Sequence, residues 1–483
     1  MSNDQKFLNP YNFVPVESDT VTVDAGDIAQ GRHERIRHDA WQADALHGRI
    51  TCKLTAETPL VIGGSYSIAD KKKTTPKLQH PYRRRNADGS EELAIPGNSL
   101  RGMIGSAIEA LSNSALRVLE DKEYKVRLRS GKRTVPATAR QFFSAISGDL
   151  VPWSSERSRL TPAEVLLGCV SSNDRVDPDS LAGFASRLRF RDALVDAEEV
   201  NEDQLLGTSV KLQILSKPEP PSPSLYFQFT KSEGAVKKHD LVQANPSVKP
   251  RGRKWYLHHQ RSNNRAFQPW VSRAGNADTD NSQRIVARPI RLGTRFGFTI
   301  EFSNLSLVEL ELLCAALAPH ENYRHKLGLG KPLGLGTVRL EVETIRLDQR
   351  DYEAYSRASL DSLESDDLPS RAYNSFESLA KERPDIDSEQ SLIKPLIRPI
   401  FETLGDPDRV NLPVCYPRTQ AQFSAWKRQG GGQEDKLFEW FVNNDRSQPP
   451  QALPRVQPGQ SLQGLRTNNA PRSHGGKKQP KRR

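Results

Sequence analysis

Cysteine is scarce here: Cys52, Cys169, Cys314 and Cys415 stand far apart among 483 residues, with no Cys-X-X-Cys pair. Neither a disulfide framework nor a zinc ribbon is available to such a chain. No run of about 18 apolar residues occurs, and the opening MSNDQKFLNPYNF lacks a charged-then-apolar leader. No membrane span and no secretion are therefore expected, and the protein is expected in the cytoplasm. A Walker-type Gly-Lys-Ser/Thr ending, the Gly-X-Ser-X-Gly of hydrolases and a metal-ligand cluster of standard spacing are also missing. Any catalysis must rest on a dispersed site. Apolar residues, at 36%, still suffice for a sizeable core, which excludes full disorder. The length implies two or three folding units, or one core with large insertions.

Positive charge is in excess, with 70 Lys and Arg against 59 Asp and Glu, a net +11. Eight cations and no acid lie in residues 455–483, which leaves +3 for residues 1–454. Within the body, basic runs at 71–85, 122–133 and 249–265 are offset by an acidic stretch at 351–389. Such runs are the footprint of a polyphosphate partner, nucleic acid above all, although a solvated face leaves the same trace.

Residues 1–44 read as an extended N-terminal arm. Ile50, Cys52, Leu54 and Ala56 alternate with polar residues and predict a half-buried strand. In IPGNSLRGMIGSAIEAL at 95–111, Leu100, Ile104, Ala107, Ile108 and Leu111 share one helical face, with Asn98 or Ser99 as cap. Strands follow at 186–195, where Leu188 and Phe190 oppose Arg187, Arg189 and Arg191, and at 295–302, whose phenylalanines share the phase of Ile300. That phase puts the phenylalanines in the core and excludes an aromatic base-stacking role for RFGFTIEF. Ser306 and Glu309 form a capping-box pair for a second helix with Leu307, Leu310, Leu313, Cys314 and Leu317 on its stripe. A glycine loop, KLGLGKPLGLG at 326–336, leads into a last strand.

The order β-α-β-β-α-β predicts an α+β, ferredoxin-like (RRM-like) core at 45–345, an antiparallel sheet with two helices on one face. Large insertions are expected at about 112–185 and 196–290, an accessory region at 346–445 and a basic disordered tail at 446–483.

The glycine loop is the most informative motif. Gly328, Gly330, Gly334 and Gly336 let a phosphate approach the backbone while Lys326 and Lys331 supply charge; a tight turn is the plainer reading. It leaves a helix and enters a strand, so it is not a dinucleotide fingerprint. The turn at Pro96 and Gly97 opens a helix whose first N–H groups can receive a phosphate, with Arg101 in its first turn. Gly102 and Gly105 suggest close approach to that backbone, or tight helix-on-sheet packing. Arg187, Arg189 and Arg191 can form a basic stripe on the open sheet face. Lys254, Trp255, Tyr256, His258 and His259 combine cations with aromatics that can stack a base, or form an insertion surface.

IGG at 62–64, IPGNSLRGM at 95–103, RLRFRDA at 187–193 and HKLGLGKPLGLGTV at 325–338 together resemble the RAMP superfamily of CRISPR-associated proteins. Type III effector backbone subunits are the nearest likeness. FLNPYNFVPV at 7–16 and CYPRTQ with EWFVNN near 415–444 resemble a larger, single-copy branch. The resemblance implies a subunit of an antiviral ribonucleoprotein whose partners are CRISPR guide RNA, complementary target RNA and other effector subunits. It implies RNA contacts at Gly97, Ser99, Arg101, Gly328, Gly330, Lys331, Gly334 and Gly336. It also implies an acid between the IGG and IPG motifs that supports target cleavage, here Asp70, with Mg²⁺ or Mn²⁺; Asp88 is the competing acid and reads as a hairpin turn. Two alternatives stand beside this. One is a metal-independent guide-processing endoribonuclease with His80, His258 or His325 as general base, and the other is a non-catalytic structural subunit.

Overall fold

The computed structural model describes residues 5–30, 45–68, 77–119, 123–124, 137–154, 157–171, 183–196, 202–213, 223–231, 234–241, 245–259, 268–272, 285–348, 370–382, 390–431 and 438–468, with a few single positions between 32 and 42. Its largest sheet has nine strands. Four segments form its centre: Leu46–Ala56, the broken strand Leu188–Phe190 with Ala193–Val195, Arg295–Leu305, and Thr337–Asp348. They are called the first to fourth core strands below. The first lies between the fourth and the third, since Cys52 pairs with both Val342 and Phe298, and the second pairs with the third through Leu188 and Phe302. All these pairings are antiparallel. Glu91–Ile95 extends the sheet from Ala193–Val195, and Arg83–Arg85 closes that edge as a hairpin.

The period-two pattern explains which face is buried. Ile50, Cys52, Leu54 and Ala56 meet Phe296, Phe298, Ile300 and Phe302 on one face, all buried. A bulge between Val342 and Thr344 resets the phase of the fourth strand, so that Val338 and Leu340 before it and Ile345 and Leu347 after it all point inward. The helix Gly97–Leu111 and the helix Leu307–Leu317 cover this face. The second helix carries the expected capping box, Ser306 with Glu309. Leu312 and Ala316 are buried along with Leu307, Leu310, Leu313 and Leu317 of its predicted stripe, while Cys314 is half-buried, because Phe376, Leu379 and Ile393 close over its outer side. The fold is thus α+β with a curled antiparallel sheet.

Two expectations about the chain ends are corrected. Residues 5–16 are not a free arm. Tyr11–Val14 pairs antiparallel with Arg253–Tyr256, and Lys6–Phe7 pairs with Leu465–Arg466. Phe7, Tyr11 and Phe13 share an aromatic cluster with Phe423, Trp426 and Trp440, so the N-terminus joins an insertion to the C-terminal region. Residues 446–468 are likewise not a disordered tail. Leu453, Leu462, Leu465 and Thr467 are buried, and the Trp440 indole N–H donates to Arg466 O at 3.0 Å. Leu453 and Leu465 join the aromatic cluster, and Leu462 joins the main core. Residues 469–483 lie outside the described residues. Among the described residues no helix is long and apolar enough to cross a membrane.

Candidate nucleic-acid interface

The IGG segment is the junction of the candidate site. Val61 O accepts from Leu329 N at 2.9 Å, which fastens the glycine loop to it, and Ile62 O accepts from Tyr82 N at 3.3 Å. Gly63–Ile68 and Lys77–Pro81 then form a hairpin whose second strand runs parallel to Ile285–Ala287. Between this hairpin and the strands at 83–95 lies a groove of about 990 Å³, lined among others by Gly63, Gly64, His80, Tyr82, Arg83 and Pro96. His80 is exposed, its Nε2 3.2 Å from Ser67 Oγ. Tyr66 is 59% exposed, with Lys77 Nζ 5.3 Å from its ring centroid, and Leu78 is exposed beside it. An exposed aromatic, a cation and a polar groove are what a single-stranded nucleic acid needs for stacking and charge.

The first helix begins where this groove ends. Its cap is neither Asn98 nor Ser99: Gly97 N donates to Asp192 Oδ1 at 2.7 Å, and Tyr82 Oη donates to Asp192 Oδ2 at 3.2 Å. The acid of RLRFRDA therefore holds the helix start, and an incoming phosphate would meet that N–H already engaged. Gly97 presses on the second core strand, for a Cβ there would lie 2.3 Å from Phe190 O. Ser99 is half-buried, and the Arg101 guanidinium turns inward to donate to Leu167 O, burial lowering its pKa first and Arg117 adding to this. Of the two odd helical glycines, Gly105 packs against Arg117 and Leu167, whereas Gly102 is exposed and faces open space.

The four loop glycines are demanded by the chain itself. A Cβ on Gly328, at φ +78°, would stand 2.3 Å from Val61 O, and one on Gly336, at φ +72°, would stand 1.9 Å from Leu327 O. Gly330 and Gly334 also have positive φ and close neighbours, the Leu335 side chain and the His259 ring. Replacing Gly336 with Ala should therefore destabilise the protein by more than about 1 kcal/mol, the ordinary cost of an Ala forced into this conformation, because backbone must also move. A urea midpoint equal to wild type would contradict the tight turn.

The loop lysines differ from the expected free cations. Lys326 Nζ donates to Leu335 O at 3.1 Å, and burial, with Lys331 adding repulsion, brings its pKa down to about 7. Burial also lowers Lys331.

The histidines divide by burial. His258 Nε2 donates to Arg324 O at 3.1 Å, and its Nδ1 lies 3.2 Å from Thr337 Oγ1. His325 Nε2 donates to Leu317 O at 2.8 Å, and burial brings its pKa down to about 4. His259 Nε2 donates to Pro332 O at 3.3 Å, with a pKa brought down to about 3 by burial and then by Lys326. These three are neutral supports beneath the loop, which leaves His80 as the exposed member of the predicted set.

Lys254, Trp255 and Tyr256 are spent inside the protein: Lys254 Nζ sits 4.0 Å from the Tyr11 ring centroid, and Trp255 packs on Phe401 at 5.0 Å. Arg187 also departs from its predicted place. It is buried and pairs with Glu309, while Arg189 and Arg191 stay on the open sheet face beside Glu301. Asp88 lies in a hairpin turn and accepts from Ser90 N at 2.9 Å and Ser90 Oγ at 2.6 Å. Asp70 lies outside the described residues. Among the described residues no group of three or more His, Cys, Asp and Glu is placed to hold a metal. Sequence reasoning missed Tyr66, Tyr82 and Asp192; the short Arg-Asp-Ala break between two strand segments was the available signal for the last.

An α+β protein with a basic polar groove at a glycine-rich junction is the class these features define. The model of the RAMP superfamily matches residues 53–339, more than half of the chain, and the protein belongs to that superfamily. No curated protein matches it. Among solved structures, a chain of a "Type IV-B CRISPR Complex" is 13% identical, with 61% of this chain and 90% of that chain covered and a TM-score of 0.27. Csc2 of Thermofilum pendens is also 13% identical, with 82% and 89% covered and a TM-score of 0.28.

Proposed function

We propose that this protein is a guide-RNA-binding RAMP subunit of a type III-like CRISPR ribonucleoprotein, built on a ferredoxin-like core. The observation that carries the reading is the groove at the IGG segment, where His80 stands exposed and Arg83 half-buried, with exposed Tyr66 on the same hairpin. The fourth–first–third–second strand order supports the ferredoxin-like core, and the motif combination of the sequence supports the type III-like placement. Guide RNA runs along the groove past Arg83, its phosphates reaching half-buried Ser99, Gly328 and Lys331, whereas Gly97, Gly330, Gly334 and Gly336 are buried and shape the junction from within. The partners are the guide, its complementary RNA and other effector subunits.

Fluorescence anisotropy tests this. Single-stranded RNA should bind better than duplex and weaken as salt rises. Tyr66→Ala with His80→Ala should lower affinity by about 1–3 kcal/mol for each stacked base lost. Equal affinity in a folded double variant would remove RNA from the groove.

Asp70 is the proposed cleaving acid, acting with Mg²⁺ or Mn²⁺. In the assembled complex, Asp70→Ala should slow cleavage of guide-complementary RNA by about 10² or more while guide binding persists. Equal cutting by wild type and variant would discard the assignment. Cutting that persists in EDTA and is lost in His80→Ala would favour the processing alternative.

A further inference from the structure

The open face of the large sheet, opposite the helices, carries a row that the groove does not use. Register aligns Arg346 with Arg49, Arg49 with Glu301, and Glu301 with Arg189, one residue from each of four adjacent strands. The next row aligns Thr344, Thr51 and Thr299. A shallow cavity of about 340 Å³ lies over them, and Arg191 joins its wall. Arg191 Nε donates to Glu301 Oε1 at 2.7 Å, and Arg189 stands 4.0 Å from the same carboxylate, so one acid is shared by two arginines. Among the described residues, with Arg189 and Arg191 counted, the row holds four guanidinium groups and the Glu301 carboxylate, and three hydroxyls lie in the adjacent row.

We infer that this sheet face is a second track for the phosphate backbone of single-stranded RNA, an inference that rests on the RNA-binding reading above. The lining consists of Arg, Thr and Glu. A protein partner would need an apolar centre to dock on, since the buried middle of such interfaces is depleted in charge. Nucleic-acid interfaces are the more polar and more positive kind. With no aromatic ring in the lining, the face offers nothing for a base to stack on, so it reads backbone rather than sequence. Three strand spacings of about 4.8 Å set Arg346 and Arg189 about 14 Å apart, which is about four stacked nucleotides at 3.4 Å each.

The test is a salt series on the full chain with single-stranded RNA of mixed sequence. Each phosphate neutralised on a single strand contributes about 0.7 to the slope of log affinity against log salt. The double variant Arg189→Gln, Arg346→Gln should therefore lose about 1.4 of slope and bind about 25-fold more weakly at 0.1 M salt. The corresponding double Lys variant should keep the slope. Thr344→Glu, which puts an acid into the cavity while leaving the arginines alone, should also weaken binding and guards against a folding defect in the first variant.

Wild-type slope and affinity in both the Gln double and Thr344→Glu would overturn the inference. If Tyr66→Ala with His80→Ala weakens binding while the face variants do not, only this inference fails. If the wild type binds no RNA, both readings fail. Polyglutamate of equal charge binding as tightly as RNA, with the same dependence on Arg189 and Arg346, would mark an acidic protein as the occupant instead.

Discussion

Truncation after Leu453 is expected to lower the stability of the protein by roughly 3–6 kcal/mol. The deletion removes Leu462 and Leu465, at 5% and 2% exposure, and burial of a leucine contributes roughly 1.5–3 kcal/mol. It also removes the strand paired with Lys6–Phe7 and the carbonyl that accepts from the Trp440 indole. Phe7, fully buried in the intact chain, loses part of its cover, and so does the aromatic cluster built on it. Urea denaturation followed by tryptophan fluorescence reads the change, since Trp426 and Trp440 sit in that cluster. Truncation after Asn468 spares every one of these contacts and serves as the control. A midpoint for the shorter chain equal to that of the control would show that residues 454–468 add nothing to the core.

The central strands and both helices were legible because each repeats one period long enough to be read. Ile50 to Ala56 and Phe296 to Phe302 alternate strictly, and the side chains fall on the face that the alternation assigns. The same reasoning failed at Arg187. The regular strand starts at Leu188, and one residue earlier the chain is held by Arg187 N donating to Leu166 O and by Ser303 N donating to Arg187 O. A period-two argument carries no information past the end of its strand. The N-terminal segment failed for another reason: Pro10 and Asn12 break any pattern, and the strand that pairs with it lies some 240 residues later. Long-range partners of irregular segments leave no local trace.

At the candidate site the residue types were legible and their partners were not. The glycines of the loop do mark a close backbone approach, but the approaching groups in the folded chain are its own carbonyls, Val61 O and Leu327 O. Lys326 has the composition of a phosphate ligand, yet its ammonium is committed to Leu335 O. His258, His259 and His325 look alike in sequence to exposed His80, and only burial separates them. Burial depends on where the insertion at 253–259 docks, which no local pattern states.

Arg187→Met is expected to destabilise the protein by about 3–5 kcal/mol, the usual cost of breaking a buried ion pair from one side. The Arg187 side chain is fully buried, and its guanidinium donates to both oxygens of Glu309, to Asn304 O at 2.6 Å and to Val165 O at 3.3 Å. Glu309 in turn accepts from Ser306 N at 2.9 Å, closing the capping box of the second helix. Without the arginine, that carboxylate keeps its cap bond but loses its counter-charge, and two carbonyls lose a donor. Arg187→Met with Glu309→Leu should recover much of the loss, because an apolar pair of similar volume in such a place is often neutral. Recovery should stop about 1 kcal/mol short of wild type, since the helix has also lost part of its cap. A double-mutant cycle in urea measures these terms. Arg187→Met within about 0.5 kcal/mol of wild type, the range of an ordinary surface change, would show that the pair adds nothing. Arg187 would then have no part in fixing the strand that carries Arg189 onto the open face and Asp192 onto the start of the first helix.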